Sequence, residues 1–111
     1  MTINEYQALA MRTSNKELSP DYHLLNGVLG LCGESGEVAD MVKKNWMQGH
    51  DLDLDHLAKE LGDCLWYIAE TATAIGVDME TIMRMNIEKL KARYPDGFSS
   101  DRSQHRKDGD I

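Results

Sequence analysis

Four stretches of the chain repeat apolar residues at three- and four-residue spacing, the interval that puts side chains on one side of an α-helix. The first covers residues 2–13. There Ile3, Tyr6 or Gln7, Ala10 and Met11 make a narrow stripe, and Thr2 followed by Glu5 fits a capping box. "TSNKELS" interrupts it. A second start follows at Ser19-Pro20-Asp21, with Ser as N-cap, Pro at the first helical position and an acid in the first turn. Leu24, Leu25, Val28, Leu31, Cys32, Ser35, Val38, Met41 and Val42 carry this helix to Gln48, and Gly49 is suited to end it. "GHDLDLD" reads as a turn. A third helix runs from Leu54 to Ile75 through Leu57, Leu61, Cys64, Leu65 and Ile68, and stops at Gly76. Asp78 caps a fourth, which reaches Tyr94 before Pro95 and "DG".

No segment alternates with the period of a strand, and there are no repeats. The pattern predicts an all-α fold of about four helices forming a bundle, with residues 1–98 as one helical domain. Residues 99–111, "SSDRSQHRKDGDI", have little to bury and read as a flexible polar tail.

Composition narrows the function. A chain of 111 residues can build one modest core, or serve as a protomer whose core is completed by oligomerisation, as a homodimer or homotetramer. One Phe and seven Met point to aliphatic helix packing. The net charge of −7 and pI near 4.9 argue against a duplex nucleic-acid ligand, which requires a basic face. A phosphate-bearing small molecule stays compatible if a cation mediates, and a divalent metal is the obvious one. No apolar run has the length of a membrane span, and "MTINEYQALAM" lacks a basic-then-apolar leader, so a cytoplasmic protein is expected. Cys32 and Cys64 fall within helical patterns and read as small core residues rather than a disulfide.

The second helix carries two liabilities together: Gly30, Gly33 and Gly36 in its interior, and Glu34 and Glu37 between and beside them. A glycine inside a helix costs about 1 kcal/mol against alanine. Residues three apart lie about 60° from one another around the axis, so the two carboxylates share a side. That side borders the apolar stripe, next to Leu31 and Val38. The third helix repeats the arrangement with Glu60 and Asp63, flanked by Leu57, Leu61 and Cys64. One acidic pair alone is ordinary surface decoration. Two pairs on the core border can bring four carboxylates together, a cluster that demands protons or cations. Oxygen-only donors suit Mg²⁺, with Mn²⁺ possible. The glycines make a track without side chains, fit for close approach by a ligand or by another helix. Asp51, Asp53 and Asp55 imitate the start of an EF-hand loop, but its sixth position is His56 and its twelfth Gly62, which rules that loop out. His23, His50, His56 and His105 have no ligand spacing and read as surface or capping residues.

"GLCGESGEVADMVKK", "LAKELGDCLWYIAETA" and "NIEKLKARYP" together resemble the MazG-like family of all-α nucleoside triphosphate pyrophosphohydrolases over residues 24–98. The family's E-x-x-E followed by E-x-x-D on the next helix matches Glu34, Glu37, Glu60 and Asp63. The resemblance implies Mg²⁺-dependent hydrolysis of (d)NTPs to (d)NMP and pyrophosphate, in house-cleaning or nucleotide-pool control, with those acids as metal ligands. It also implies phosphate contacts from Asn86 and Lys89. Asn86 lies on the otherwise apolar side of the fourth helix, where an amide needs partners. Lys89 and Arg93 sit on an adjoining side suited to triphosphate oxygens. Tyr67, one turn after Asp63, and Trp46 are the aromatics expected to line a base pocket. A competing class is a non-catalytic helical module that keeps the metal cluster for interaction or regulation. The presence of all four acids and the Asn-Lys block favours the enzyme.

Overall fold

A computed structural model describes all 111 residues, and every regular element in it is helical. Helix α1 spans Ile3–Ala10 and runs into a 3-10 turn over Met11–Thr13. Helices α2 (Pro20–Gln48), α3 (Leu54–Ala74) and α4 (Met79–Arg93) follow, then a short α5 (Ser100–Gln104). The four longer helices agree with the periodicity. Their ends agree too, because the capping chemistry is local. The Thr2–Glu5 capping box is closed in both directions, Ser19 caps α2, and Gly49 takes φ 71°. Asp53 and Asp78 accept from His56 N–H and Thr81 N–H respectively.

α2 and α3 form an antiparallel hairpin, as the pairing of Gly27 with Thr71, Gly30 with Tyr67 and Glu34 with Glu60 and Asp63 requires. The crossing is close at one end. A Cβ on Gly27 would overlap the Thr71 hydroxyl, and one on Gly30 would overlap the Tyr67 ring, whereas Gly33 and Gly36 have nothing within 4 Å. The expected glycine track is thus a helix contact at Gly30 and open at Gly33 and Gly36. Gly27, absent from that track, is also a close fit, because Thr71 backbone crowds it too, with its N at 3.2 Å.

α1 joins α3 to α4. The Trp66 indole N–H donates to Ala10 O and to Thr13 Oγ1, both at 2.9 Å. Gln7 Oε1 accepts from Met79 N–H (2.8 Å) and Asn4 Oδ1 from Glu80 N–H (3.0 Å). With Asp78 these two side chains satisfy the N–H groups that the first turn of α4 leaves unpaired. Ala10, Ala69, Ala72 and Met79 form the core, and Ile3, Tyr6, Leu65 and Trp66 pack around it.

That core is small. Only 6 of 111 residues are buried, and the radius of gyration is 17.1 Å, against about 13 Å for a compact chain of this length. Leu25, Val28 and Leu29 of α2 and Met83, Met85 and Ile87 of α4 are exposed. Their stripes are real, but no element of the same chain covers them. For the same reason Cys32 is exposed, where the periodicity expected a core residue, and Asn86 is exposed with no hydrogen-bond partner instead of lying buried.

Glu70 is the one charged residue taken fully inside, 1% exposed. Asn26 Nδ2 donates to its Oε1 at 2.7 Å, and His23 Nδ1 lies 3.4 Å from its Oε2. His23, read from sequence as a surface or capping residue, instead belongs to this packed polar group, with Ser14 Oγ 3.4 Å from the same ring nitrogen. Residues 99–111 carry α5 and return Asp110 to Arg93. No helix is long and apolar enough to cross a membrane.

Candidate metal and nucleotide site

Beyond Gly30 the α2–α3 hairpin opens, and the acids occupy the gap. Glu34, Glu60 and Asp63 each place one carboxylate oxygen within 4.8 Å of the others. Glu60 is largely enclosed. Its side chain is 16% exposed, its Oε1 lies 3.1 Å from His56 Nε2, and its Oε2 is buried without any partner. A buried carboxylate oxygen left unpaired is costly unless something cationic or protic completes it.

The electrostatics say the same. The carboxyl of Glu34 is pushed above its ordinary range, first because it shares a hydrogen bond with Glu60 and then by desolvation. The negative charges of Glu60, Asp63 and Glu37 add to the effect. Like charges this close raise one another's proton affinity, and a cation among them would relieve the repulsion. Hard oxygen donors, an unpartnered buried oxygen and a raised acid together fit a divalent ion such as Mg²⁺. Glu37 stands one turn further along α2. It is exposed, outside the three-oxygen group but near enough to act on both Glu34 and Lys44. Asp40, the next acid in the run, is engaged by Lys44 at 2.7 Å, which holds its carboxyl below the usual range.

Aromatic rings wall the site. Glu34, Asp63, Trp66 and Tyr67 line an open cleft of ≈ 340 Å³, and the two rings meet edge to face at 5.1 Å. Tyr6 of α1 also faces this end. Its phenol is pushed up by burial and then by the Asp63 charge. Trp66, not among the aromatics expected at a base pocket, lines the cleft as well: its N–H is bonded to α1 and the 3-10 turn while its ring reaches the cleft. His56 was missed as a partner of Glu60, although the i, i+4 spacing was available in the sequence.

The other expected residues lie elsewhere in this protomer. Trp46 is 79% exposed towards the end of α2 and does not line the cleft. Asn86, Lys89 and Arg93 belong to α4, which packs on α1, and none of them lines the cleft. Lys89 and Arg93 instead line a second cavity with the C-terminal segment, where Arg93 is bound to Asp110.

Comparison with known proteins agrees with this arrangement. The family model described as the MazG nucleotide pyrophosphohydrolase domain matches residues 24–98, which hold both acidic pairs and α4. The Gene 37 protein of Mycobacterium phage L5 is 32% identical over 105 residues, covering 87% of this chain and 92% of that protein. No solved structure matches. With three carboxylates of the two acidic pairs converging across a helical hairpin inside the matched region, the chain belongs to the MazG nucleotide pyrophosphohydrolase domain family.

Proposed function

We propose that the protein hydrolyses (d)NTPs between the α- and β-phosphates, releasing (d)NMP and pyrophosphate, in house-cleaning or control of the nucleotide pool. One observation carries the reading: three carboxylates converge beside an aromatic-walled cleft, and a buried oxygen of Glu60 has no partner. Glu34, Glu60 and Asp63, with Glu37 at the rim, would hold Mg²⁺, or Mn²⁺ in its place. Bound there, the ion would neutralise phosphate charge and lower the pKa of the attacking water.

The chain's own groups do the rest. His56 Nε2 holds Glu60 Oε1 and leaves the buried Oε2 free for a cation. Gly30 lets Tyr67 lie flat against α2, and Tyr67 with Trp66 offers a hydrophobic wall for a base. An acidic protein can then take a polyanion at the one place where its acids need a counter-charge.

The protomer is open, and we propose that it works as a homo-oligomer, a dimer or a dimer of dimers. The uncovered stripes of α2 and α4 support this, as does a radius of gyration of 17.1 Å. In that assembly Trp46, Asn86 and Lys89 are assigned to base and phosphate contacts across the subunit interface. Sedimentation velocity over a range of concentrations tests the assembly, and a monomer at every concentration refutes it. The reaction is tested with a panel of NTPs and dNTPs plus Mg²⁺, resolving products by ion exchange. Nucleoside diphosphate with orthophosphate, in place of monophosphate with pyrophosphate, refutes the bond assignment.

A further inference from the structure

Within the protomer α4 is held at its first turn and uncovered along the rest of its length. Met79 is buried in the core and Ile82 packs against it, whereas residues 83–92 are all exposed. The link from α3 is short, Ile75 to Asp78, and turns at Gly76 with φ 75°. A helix fixed only at one end points wherever its first turn is held.

α1 does the holding. The Gln7 amide joins three segments. Its Nε2 donates to Thr73 Oγ1 near the end of α3 (3.0 Å) and to Val77 O in the link (3.1 Å), while its Oε1 accepts from Met79 N–H, where α4 begins (2.8 Å). Asn4, one turn earlier, holds the next residue twice: Oδ1 accepts from Glu80 N–H at 3.0 Å, and Nδ2 donates to Glu80 Oε2 at 3.4 Å. The other end of α1 is tied to the cleft wall, because Ala10 O and Thr13 Oγ1 accept from the Trp66 indole N–H. One bracket therefore joins the cleft wall to the start of α4.

The bland account is ordinary N-capping. However, α2 and α3 each begin with one local cap, Ser19 and Asp53, and α4 has its own in Asp78, which accepts from Thr81 N–H at 2.8 Å. The bonds from α1 come in addition to that cap and from a different helix, so they fix direction as well as helicity. The lever arm makes direction matter. At about 1.5 Å per residue, Asn86 lies about 10 Å and Lys89 about 15 Å beyond Met79. A tilt of about 10° at the first turn moves Asn86 by about 2 Å and Lys89 by about 3 Å, where about 1 Å can cost about 100-fold in rate.

We propose that Asn4 and Gln7 of α1 are positioning residues that aim α4, and with it Asn86 and Lys89. That the aim serves substrate contact rests on the pyrophosphohydrolase reading.

The test is pulsed EPR on the full chain in EDTA, with nitroxides at Lys59→Cys on α3 and Glu88→Cys on α4 in a Cys32→Ser/Cys64→Ser background. Labelled chain is diluted into excess unlabelled chain, so that only distances within one protomer are read. Asn4→Ala/Gln7→Ala is expected to shift or broaden the distance by about 2 Å or more. Asp78→Ala removes a cap of α4 without releasing it from α1, and should keep the wild-type distribution. An unchanged distribution in the double variant, or an equal change in Asp78→Ala, overturns the proposal. If the double variant does not fold by circular dichroism, Asn4→Ala decides alone, and its unchanged distribution overturns the proposal equally. In turnover the double variant is expected to lose about tenfold in kcat/KM, mainly through KM, while Mn²⁺ affinity at the carboxylates stays at the wild-type value. A changed distance with wild-type kcat/KM overturns the positioning role. A wild-type chain that hydrolyses no nucleotide sinks the proposed reaction instead, and the distances then decide whether α1 aims α4.

Discussion

Placing the same substitution at four positions of α2 should give opposite signs, because the helix meets α3 at only two of them. Glycine to alanine inside a helix gains about 1 kcal/mol from backbone propensity. At Gly33 and Gly36 nothing lies within 4 Å of the new Cβ, so that gain should appear almost whole, about 0.5–1 kcal/mol each. At Gly27 the methyl meets the Thr71 hydroxyl, and Thr71 N and Cα at 3.2 and 3.3 Å. The hydroxyl cannot simply turn away, because it donates to Tyr67 O at 2.8 Å and a β-branched side chain has few helical rotamers. Overpacking of this kind costs about 1–3 kcal/mol, which outweighs the propensity gain and leaves a net loss of about 1–2 kcal/mol. At Gly30 three carbons of the Tyr67 ring are overlapped, and moving the ring also disturbs its edge-to-face contact with Trp66 at 5.1 Å. The loss should therefore be at least as large there, about 1–3 kcal/mol. Urea unfolding in EDTA, repeated at several protein concentrations, measures all four. Gly27→Ala and Gly33→Ala shifting stability in the same direction would refute the assignment of a close crossing that opens at the acids. A loss above about 1 kcal/mol at Gly33 would show that another surface is packed on it.

Glu37→Gln should abolish Mg²⁺-dependent hydrolysis while the far-UV spectrum and melting temperature stay near wild type, and full activity in that variant would remove Glu37 from the site. The carboxyl of Glu34 is raised above its ordinary range by Glu60 first and then by desolvation, so between its unfolded and folded values the folded chain binds more protons than the unfolded chain. Its contribution to stability therefore falls as pH rises through that window. The wild-type melting temperature in EDTA should drop relative to Glu60→Gln over this range, and a relative rise contradicts the shared hydrogen bond. Glu70→Ala should cost about 3 kcal/mol through the cavity and the partners it strands, and Glu70→Gln about half as much because Asn26 keeps its acceptor. Equal losses on chemical denaturation would show that the acceptor does not matter.

What the sequence disclosed followed the range over which each signal acts. Helix ends depend on a few adjacent residues, so Thr2, Ser19, Gly49, Asp53 and Asp78 were readable from the chain alone. The acidic pairs were readable because an i, i+3 motif fixes its own side of a helix, and antiparallel α2 and α3 then bring Glu34 opposite Glu60 and Asp63. Periodicity was silent on depth along the hairpin. It could not tell that the helices touch at Gly27 and Gly30 and part by Gly33, since the same spacing describes a contact and a gap. Glu70 escaped for a related reason. It falls one turn past Trp66 on an apolar side, and its cost is offset by Asn26 and His23, which lie more than 40 positions away in sequence.

Asn86 shows where the reading of one chain ends. An apolar stripe states that a face must be covered, but not by which molecule. The stripe through Met83, Ile87 and Leu90 is present on α4, yet α4 rests on α1 through Met79 and Ile82 and leaves the rest uncovered. Placing an amide on such a stripe predicts burial only if the covering element belongs to the same chain. The exposed Asn86, the exposed Cys32 and the uncovered leucines of α2 are then one observation: the surface that would bury them is not supplied by this protomer. The acidic cleft differs, because α2 and α3 supply all three converging carboxylates. Metal binding should therefore survive at dilutions where the assembly dissociates, while hydrolysis, which in our reading needs Asn86 and Lys89 from across an interface, should not.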